Sequence, residues 1–186
     1  DMLRDAEISA TDFIDIALAG LAGEDDIATV TIIANQLITA VEIYSSPTKR
    51  DSARLKVGNG YEAMLRSAKA GSDHQLQFAR NFTSFASSAE HNDLIKELLD
   101  GKLSGLKVDA DLRWTFVIAL AERGLMDKPA LSAELLKDNT LTGQLSHATA
   151  LAALPTAQAK AETWKSITTE EISTSCLLYT SPSPRD

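Results

Sequence analysis

The chain is 186 residues long and carries a formal net charge of -8, from 18 Lys and Arg against 26 Asp and Glu. Its hydrophobic fraction of 44% and charged fraction of 24% are near the globular average, which excludes a disordered or fibrous protein. The acidic balance argues against nucleic acid or an anionic membrane as a partner. No apolar run approaches the roughly 20 residues of a membrane span, and no signal peptide opens the chain. We expect a cytoplasmic protein.

The first half of the chain predicts a series of amphipathic helices. Segment 9–21 has a capping-box-like start, and segment 25–45 is the clearest helix because its apolar residues recur every three or four positions. Segment 48–70 contains Gly58 and Gly60, and each glycine costs about 1 kcal/mol in a helix interior. We therefore expect a helix with a weak middle there.

Two shorter helices follow in this half. Ser72 is the predicted cap of segment 73–87, and Ser88 is the predicted cap of segment 89–100. Gly101 is the expected stop of the second of these helices.

The second half predicts four more helices. The first, 110–123, begins after the capping residue Asp109 and is apolar on two sides, so we expect it to be internal. The others lie at 127–137, 140–153 and 156–167.

The order and spacing of these segments predict the fold class. About nine helices are joined by loops of roughly two to eight residues, and no convincing strand is present. Short loops make sequential helices antiparallel neighbours. The sequence therefore predicts an all-α fold, an αα-superhelix of antiparallel helix pairs like those of HEAT or armadillo proteins. No strict sequence period is visible, so a clean tandem repeat is not predicted.

The last eleven residues, 176–186, differ from the rest of the chain. They contain the single Cys and two of the five Pro residues. Their sequence equals the translation of a common transposase sequencing adapter without a mismatch, so we interpret 176–186 as an adapter-derived tail that is not native. We expect 1–175 to be a fragment of a longer gene product, because the chain does not begin with Met. Residues 169–171 resemble the start of a further helix.

The sequence offers little chemistry. The three histidines, His74, His91 and His147, lie on different predicted helices, and no H-E-x-x-H pattern is present. No G-x-S-x-G nucleophile motif occurs. Residues 58–60 read Gly-Asn-Gly, but no strand precedes them and no Lys follows, as a phosphate-binding loop requires. We predict no catalytic residue, no metal ligand and no cofactor within 1–175.

Five stretches carry a family resemblance that covers nearly all of 1–175 in a matching order. They read DMLRDAE, GSDHQLQFAR, GLKVDADLRW, DNTLTG and LPTAQAKAETW, at 1–7, 71–80, 105–114, 138–143 and 154–164. They are similar to the patterns "DM-x-RDAE", "GSD-x-QL-x-x-AR", "GL-x-VD-x-DLRW", "D-x-T-x-x-G" and "RPTA-x-AK-x-x-W" of actinobacterial-type aminopeptidase N proteins. The chain thus resembles the C-terminal helical, ERAP-like domain of these gluzincin zinc metallopeptidases.

The resemblance implies a parent enzyme that releases N-terminal amino acids from peptides. Its zinc would be bound by an H-E-x-x-H motif and a distant Glu in an upstream catalytic domain, and no catalytic residue is carried over to this chain. The helical domain would form a concave wall that encloses the peptide substrate. The alternative is a helical-repeat interaction scaffold without peptidase activity.

Two side chains are candidates for contact with peptide. Arg80 and Arg113 lie in the two best-matching motifs and could bind the C-terminal carboxylate of a peptide substrate. For Arg113 an ion pair with Asp109, four residues before it, is the alternative, and Arg80 could pair with a neighbouring helix. We expect Trp114 and Trp164 to pack in the core rather than to form substrate platforms.

Overall fold

The computed structural model describes residues 2–169, and all regular structure within this range is helical. The all-α prediction is therefore confirmed for the described residues. The predicted tail 176–186 and most of the helix start at 169–171 lie outside them. The described α-helices are α1 (Ala10–Leu21), α2 (Ile27–Thr39), α3 (Pro47–Ser67), α4 (Asp73–Phe85), α5 (Ala89–Leu99), α6 (Ala110–Glu122), α7 (Lys128–Lys137), α8 (Leu141–Ala153) and α9 (Ala157–Thr169).

The chain divides into two compact units between Lys107 and Val108. In the first unit α3 packs along α4, α2 packs on α4, and α1 contacts both α2 and α3. In the second unit α6 packs on α8, and α8 also contacts α7 and α9. Helices thus contact their sequence neighbours and next neighbours, which is consistent with the predicted αα-superhelical class.

The predicted helix starts are confirmed by side-chain caps. Each capping oxygen accepts the backbone N–H three residues ahead, at 2.8–3.2 Å. Such a cap satisfies a donor that would otherwise lack a partner, and its loss costs about 1 kcal/mol. The capping residues are Ser72, Ser88, Asp109, Asp127 and Thr156.

The prediction of a weak middle in the third helix is wrong. Helix α3 is continuous from Pro47 to Ser67. Gly58 is buried, and a Cβ atom there would lie 2.6 Å from His91 Cε1 and 2.9 Å from the carbonyl oxygen of Phe85. Gly58 therefore allows α3 to lie closely against the connection between α4 and α5, and this packing offsets the low helix propensity of glycine.

The second helix also differs from its prediction over 25–45. Asp26 is its N-cap and accepts the backbone N–H groups of Ala28 and Thr29, so the helix begins only at Ile27. Its last part, Ala40–Tyr44, is a π-helical turn. The backbone N–H of Ser45 donates to the Ala40 carbonyl at 2.9 Å, a hydrogen bond that spans five residues instead of four.

The expectation that no segment approaches a membrane span is corrected by the same segment. Ile27–Tyr44 is 18 residues long with a mean hydropathy of 1.5, enough to cross a membrane by length and composition alone. A core helix of a soluble protein passes the same test. Only 28% of this segment is buried, however.

Candidate functional site

Arg113, one of the two candidate peptide contacts, forms an ion pair between helices. Its Nε donates to Glu134 Oε2 at 2.5 Å and its Nη2 donates to Oε1 at 2.9 Å. Glu134 lies on α7 with 10% of its side chain exposed, and Lys137 also donates to its Oε1, at 2.7 Å. The pKa of Glu134 is lowered, mainly by the hydrogen bond from Arg113. The hydrogen bond from Lys137 lowers it further, whereas burial raises it. This bidentate pair fastens α6 to α7.

Asp109, which the sequence suggested as the partner of Arg113, is the N-cap of α6. The side chain of Asp109 accepts the Leu112 N–H at 2.8 Å and so begins α6. Arg113 instead reaches Glu134, which is 21 residues away in sequence. No local spacing rule points to such a pair.

Trp114 is confirmed as a core residue of the second unit. It is 4% exposed, and its Nε1 donates to Asp138 Oδ2 at 2.9 Å. The other oxygen of Asp138 accepts the hydroxyl of Thr140 at 2.8 Å. The hydrogen bonds from Thr140 and then Trp114 lower the pKa of Asp138. The prediction for Trp164 is wrong, because this side chain is 70% exposed on α9.

The motif at 138–143 holds two helices together. Asp138 binds Trp114 of α6, while Thr140 accepts the Gly143 N–H at 3.1 Å and caps α8. A Cβ atom on the buried Gly143 would collide with the Asp138 carbonyl oxygen. The sequence pattern Asp-x-Thr-x-x-Gly is thus explained by packing and capping rather than by chemistry.

The start of the motif at 105–114 meets the motif at 71–80 within the first unit. The buried Gln75 donates from Nε2 to the Ser104 carbonyl at 3.0 Å, and its Oε1 accepts the Gly71 N–H at 2.8 Å. Gly71 and Gly105 have φ of 78° and 83°, and a Cβ atom on Gly105 would collide with the Gly71 nitrogen. Both positions therefore require glycine.

Arg80, the other candidate, lies on α4 of the first unit and is half-buried. Its backbone carbonyl accepts the Thr83 hydroxyl at 2.7 Å. The neighbouring side chains Phe78, Ala79 and Phe82 are buried, so Arg80 lies at the edge of the packed side of α4. Arg80 and Arg113 belong to different units. Their contact with peptide stays a prediction.

Two of the three histidines, His74 and His91, have polar partners in the described range. His74 Nε2 lies 2.9 Å from the Glu24 carbonyl oxygen. His91 is 1% exposed, its Nδ1 accepts the Ser87 N–H at 3.2 Å, and its Nε2 lies 2.9 Å from Asn59 Oδ1. Because Nδ1 of His91 accepts a hydrogen bond, it carries no proton, and the proton lies on Nε2, which donates to Asn59. These partners therefore assign a neutral His91 ring.

Zinc requires three or four converging ligands. Within residues 2–169, no group of three or more His, Cys, Asp or Glu side chains could hold a metal ion. The one partly buried histidine of the second unit, His147, lies edge-on to Trp114 with ring centroids 6.4 Å apart, and burial lowers its pKa. The described residues therefore do not fit a zinc site, and no catalytic step is assigned to them.

The comparison with protein families decides the assignment. The sequence model of the ERAP1-like C-terminal domain matches residues 1–180. The chain belongs to this family. It is also 42% identical over 169 residues to a protein named Aminopeptidase N from Streptomyces lividans, a match that includes 90% of this chain and 20% of that protein. The chain thus spans about one fifth of the length of the curated relative it matches.

The resemblance found in the sequence is therefore confirmed as that of the C-terminal domain of aminopeptidase N. In this ERAP1-like domain the motif residues Gly71, Gln75, Gly105, Asp138 and Gly143 all have packing or hydrogen-bonding roles. These roles could not be predicted from the sequence, because each depends on a partner from another element.

Proposed function

We propose that this chain is the substrate-enclosing part of the C-terminal domain of a zinc aminopeptidase that releases N-terminal amino acids from peptides. The observation that carries the proposal is the family membership together with 42% identity to a protein named Aminopeptidase N. The peptide is the proposed substrate, and a catalytic domain upstream in the parent polypeptide is the proposed partner. The proposed location is the cytoplasm.

In such an enzyme the zinc supplies Lewis-acid activation of water and of the scissile carbonyl when bound. The ligands would belong to the upstream domain, since the described residues of this chain do not fit a zinc site. The contribution of this chain would then be exclusion: a packed helical wall admits a flexible peptide and keeps a folded protein out. Closely packed helices with capped ends support such a role, because a wall of this kind must resist deformation.

The ion pair between α6 and α7 bears on how the wall would bind substrate. Glu134 already accepts two hydrogen bonds from Arg113, so two donors of the guanidinium are used within the fold. A peptide carboxylate at Arg113 would have to share this cation with Glu134. We therefore expect Arg113 to contribute less to substrate binding than its place in the motif suggests, and its main role to be the position of α6 against α7.

The experiment uses the full-length parent enzyme. We expect one zinc ion per chain, with release of amino acids from a small aminoacyl substrate and from a flexible peptide, but not from a folded protein with an accessible N-terminus. A parent that trims the folded protein as fast as the peptide would refute enclosure. A parent with neither zinc nor peptidase activity would refute the whole proposal and favour the interaction scaffold.

The contribution of the arginines is measured in the same assay. If Arg80 binds the peptide carboxylate, Arg80→Ala raises KM for a peptide with a free C-terminus and leaves KM for its C-terminal amide unchanged. Equal effects on both peptides would assign Arg80 a structural role. Lys69→Ala, which replaces an exposed cation shortly before α4, is the matched control.

A further inference from the structure

Asn59 and Gly60, in the middle of α3, form a chemically reactive pair. Asn59 is followed by a glycine, which is true of none of the other four asparagines of the chain, Asn35, Asn81, Asn92 and Asn139. The backbone nitrogen of a glycine can attack the side-chain amide carbon of the asparagine before it, because glycine has no Cβ to obstruct the approach. The Gly-Asn-Gly stretch, which does not fit a phosphate-binding loop, thus contains a reactive group of another kind.

The amide of Asn59 is already polarised in the folded chain. His91 Nε2 donates a hydrogen bond to Asn59 Oδ1 at 2.9 Å. Attack on the amide carbon moves negative charge onto this oxygen, and a donor placed there stabilises such charge. Asn59 is exposed, so the nitrogen that has to leave as ammonia has access to water.

Helix α3 keeps the attacking nitrogen away from this amide. The helix is continuous from Pro47 to Ser67, so the N–H of Gly60 donates to the backbone carbonyl four residues earlier. The hydrogen bond from His91 also holds the Asn59 side chain in place. Reacting atoms have to approach within about 3–3.5 Å in the correct orientation. The reaction therefore requires that α3 opens locally.

We propose that Asn59 is a latent deamidation site, which α3 protects and which reacts when this part of the helix opens. The Gly60 nitrogen forms a bond to Cγ of Asn59 and loses its proton to water, and the bond from Cγ to Nδ2 breaks with release of ammonia. Water then hydrolyses the cyclic imide at either of its two carbonyl groups, which leaves aspartate or isoaspartate at position 59. The net reaction consumes one water and releases one ammonia.

The modification damages the packing of α3. In isoaspartate the backbone runs through the side-chain carbon, so the helix gains one backbone atom between residues 59 and 60. Gly58 leaves no room for a shift, because a Cβ there would lie 2.6 Å from His91 Cε1. Both products also place a negative charge near Glu62, whose Oε2 lies 3.8 Å from His91 Nε2. Opening of α3 thus leads to a covalent change that hinders its closure.

The test compares deamidation rates in the folded and the unfolded 186-residue chain. Both are incubated at the same mildly alkaline pH, one of them in guanidinium chloride, and heavy-oxygen water marks each new carboxylate for peptide mass spectrometry. In denaturant we expect Asn59 to react at least tenfold faster than each of the other four asparagines. In the folded chain we expect Asn59 to react at least tenfold more slowly than in denaturant.

Gly60→Ala is the matched variant. Its Cβ obstructs the attack, so Asn59 should react at least tenfold more slowly in denaturant than in the unsubstituted chain. The fold tolerates the change, because this Cβ would meet only the flexible end of Leu18. After long incubation the unsubstituted chain should contain isoaspartate at position 59 and melt at a lower temperature than before, whereas the Gly60→Ala chain should keep its melting temperature.

Three results would overturn the inference. A rate at Asn59 in denaturant no higher than that of the other asparagines would show that the pair is not reactive. Equal rates at Asn59 in the folded and the unfolded chain would show that α3 gives no protection. Isoaspartate-containing chain that melts like fresh chain would show that the modification does no damage to α3.

Discussion

Replacement of Gly58 by alanine tests the close packing of α3 more sharply than any other single change. A Cβ at this position would lie 2.6 Å from His91 Cε1 and 2.9 Å from the Phe85 carbonyl oxygen. His91 is 1% exposed and is held by Asn59 and Ser87, so it cannot turn away without the loss of two hydrogen bonds. Overpacking of this kind costs about 1–3 kcal/mol, and each lost hydrogen bond costs about 1 kcal/mol.

Alanine also brings a gain, because its helix propensity exceeds that of glycine by about 1 kcal/mol. We therefore expect Gly58→Ala to lower the free energy of unfolding by about 2 kcal/mol. The matched control is Gly60→Ala in the same helix, where the new Cβ would meet only the flexible end of Leu18. This side chain can move, so the propensity gain should prevail and Gly60→Ala should be neutral or stabilising by up to about 1 kcal/mol.

Urea denaturation of the 186-residue chain measures both effects. We expect the midpoint to fall for Gly58→Ala and to stay or rise for Gly60→Ala, with similar slopes for both. An equal rise for the two variants would refute the reasoning, because it would mean that the approach of α3 to His91 imposes no steric requirement on residue 58.

Three further predictions concern charge, metal and the tail. Because Arg113 holds the pKa of Glu134 below its ordinary value, the contribution of this carboxylate to stability is present at neutral pH and is lost as the pH falls below the ordinary glutamate range. Glu134→Gln should therefore flatten this part of the stability profile in urea titrations at several pH values, and an unchanged acid slope would contradict the prediction. The 186-residue chain should bind no stoichiometric zinc by elemental analysis, and one tightly held ion per chain would be evidence against the assignment of zinc to another domain. Deletion of 176–186 should leave the melting temperature nearly unchanged, whereas a clear fall would count against an adapter origin.

The sequence predicted those features of the fold that depend on neighbouring residues. Caps such as Ser72 and Asp109 act on the N–H three residues ahead, so a short window of sequence is enough to recognise them. The features that it did not predict join residues far apart. Gly58 reads as a helix-weakening residue until His91, 33 positions later, is seen beside it.

In the candidate site, too, the features set by neighbouring residues were predicted and the contacts between distant residues were not. The motif around Arg113 identified the family, but its hydrogen bonds to Glu134 depend on how α6 packs on α7, which no spacing rule gives. The π turn at Ala40–Tyr44 was not predicted by helical periodicity either. Its hydrogen bond across five residues shifts the register of the residues at its end, so Tyr44 is 41% exposed and Ser45 is buried instead. The expectation that Trp164 packs in the core rests on its residue type alone, and residue type does not say on which side of α9 the side chain lies; it is 70% exposed.

The contact between Gly71 and Gly105 has a practical consequence for anyone who divides this protein for separate expression. The last helix of the first unit ends at Leu99, which makes that residue a tempting place to truncate. A piece cut there would lack the Ser104 carbonyl and leave the Gln75 amide nitrogen without its acceptor inside the fold. The polypeptide should instead be cut after Lys107, so that the loop following α5 stays with the helices it closes.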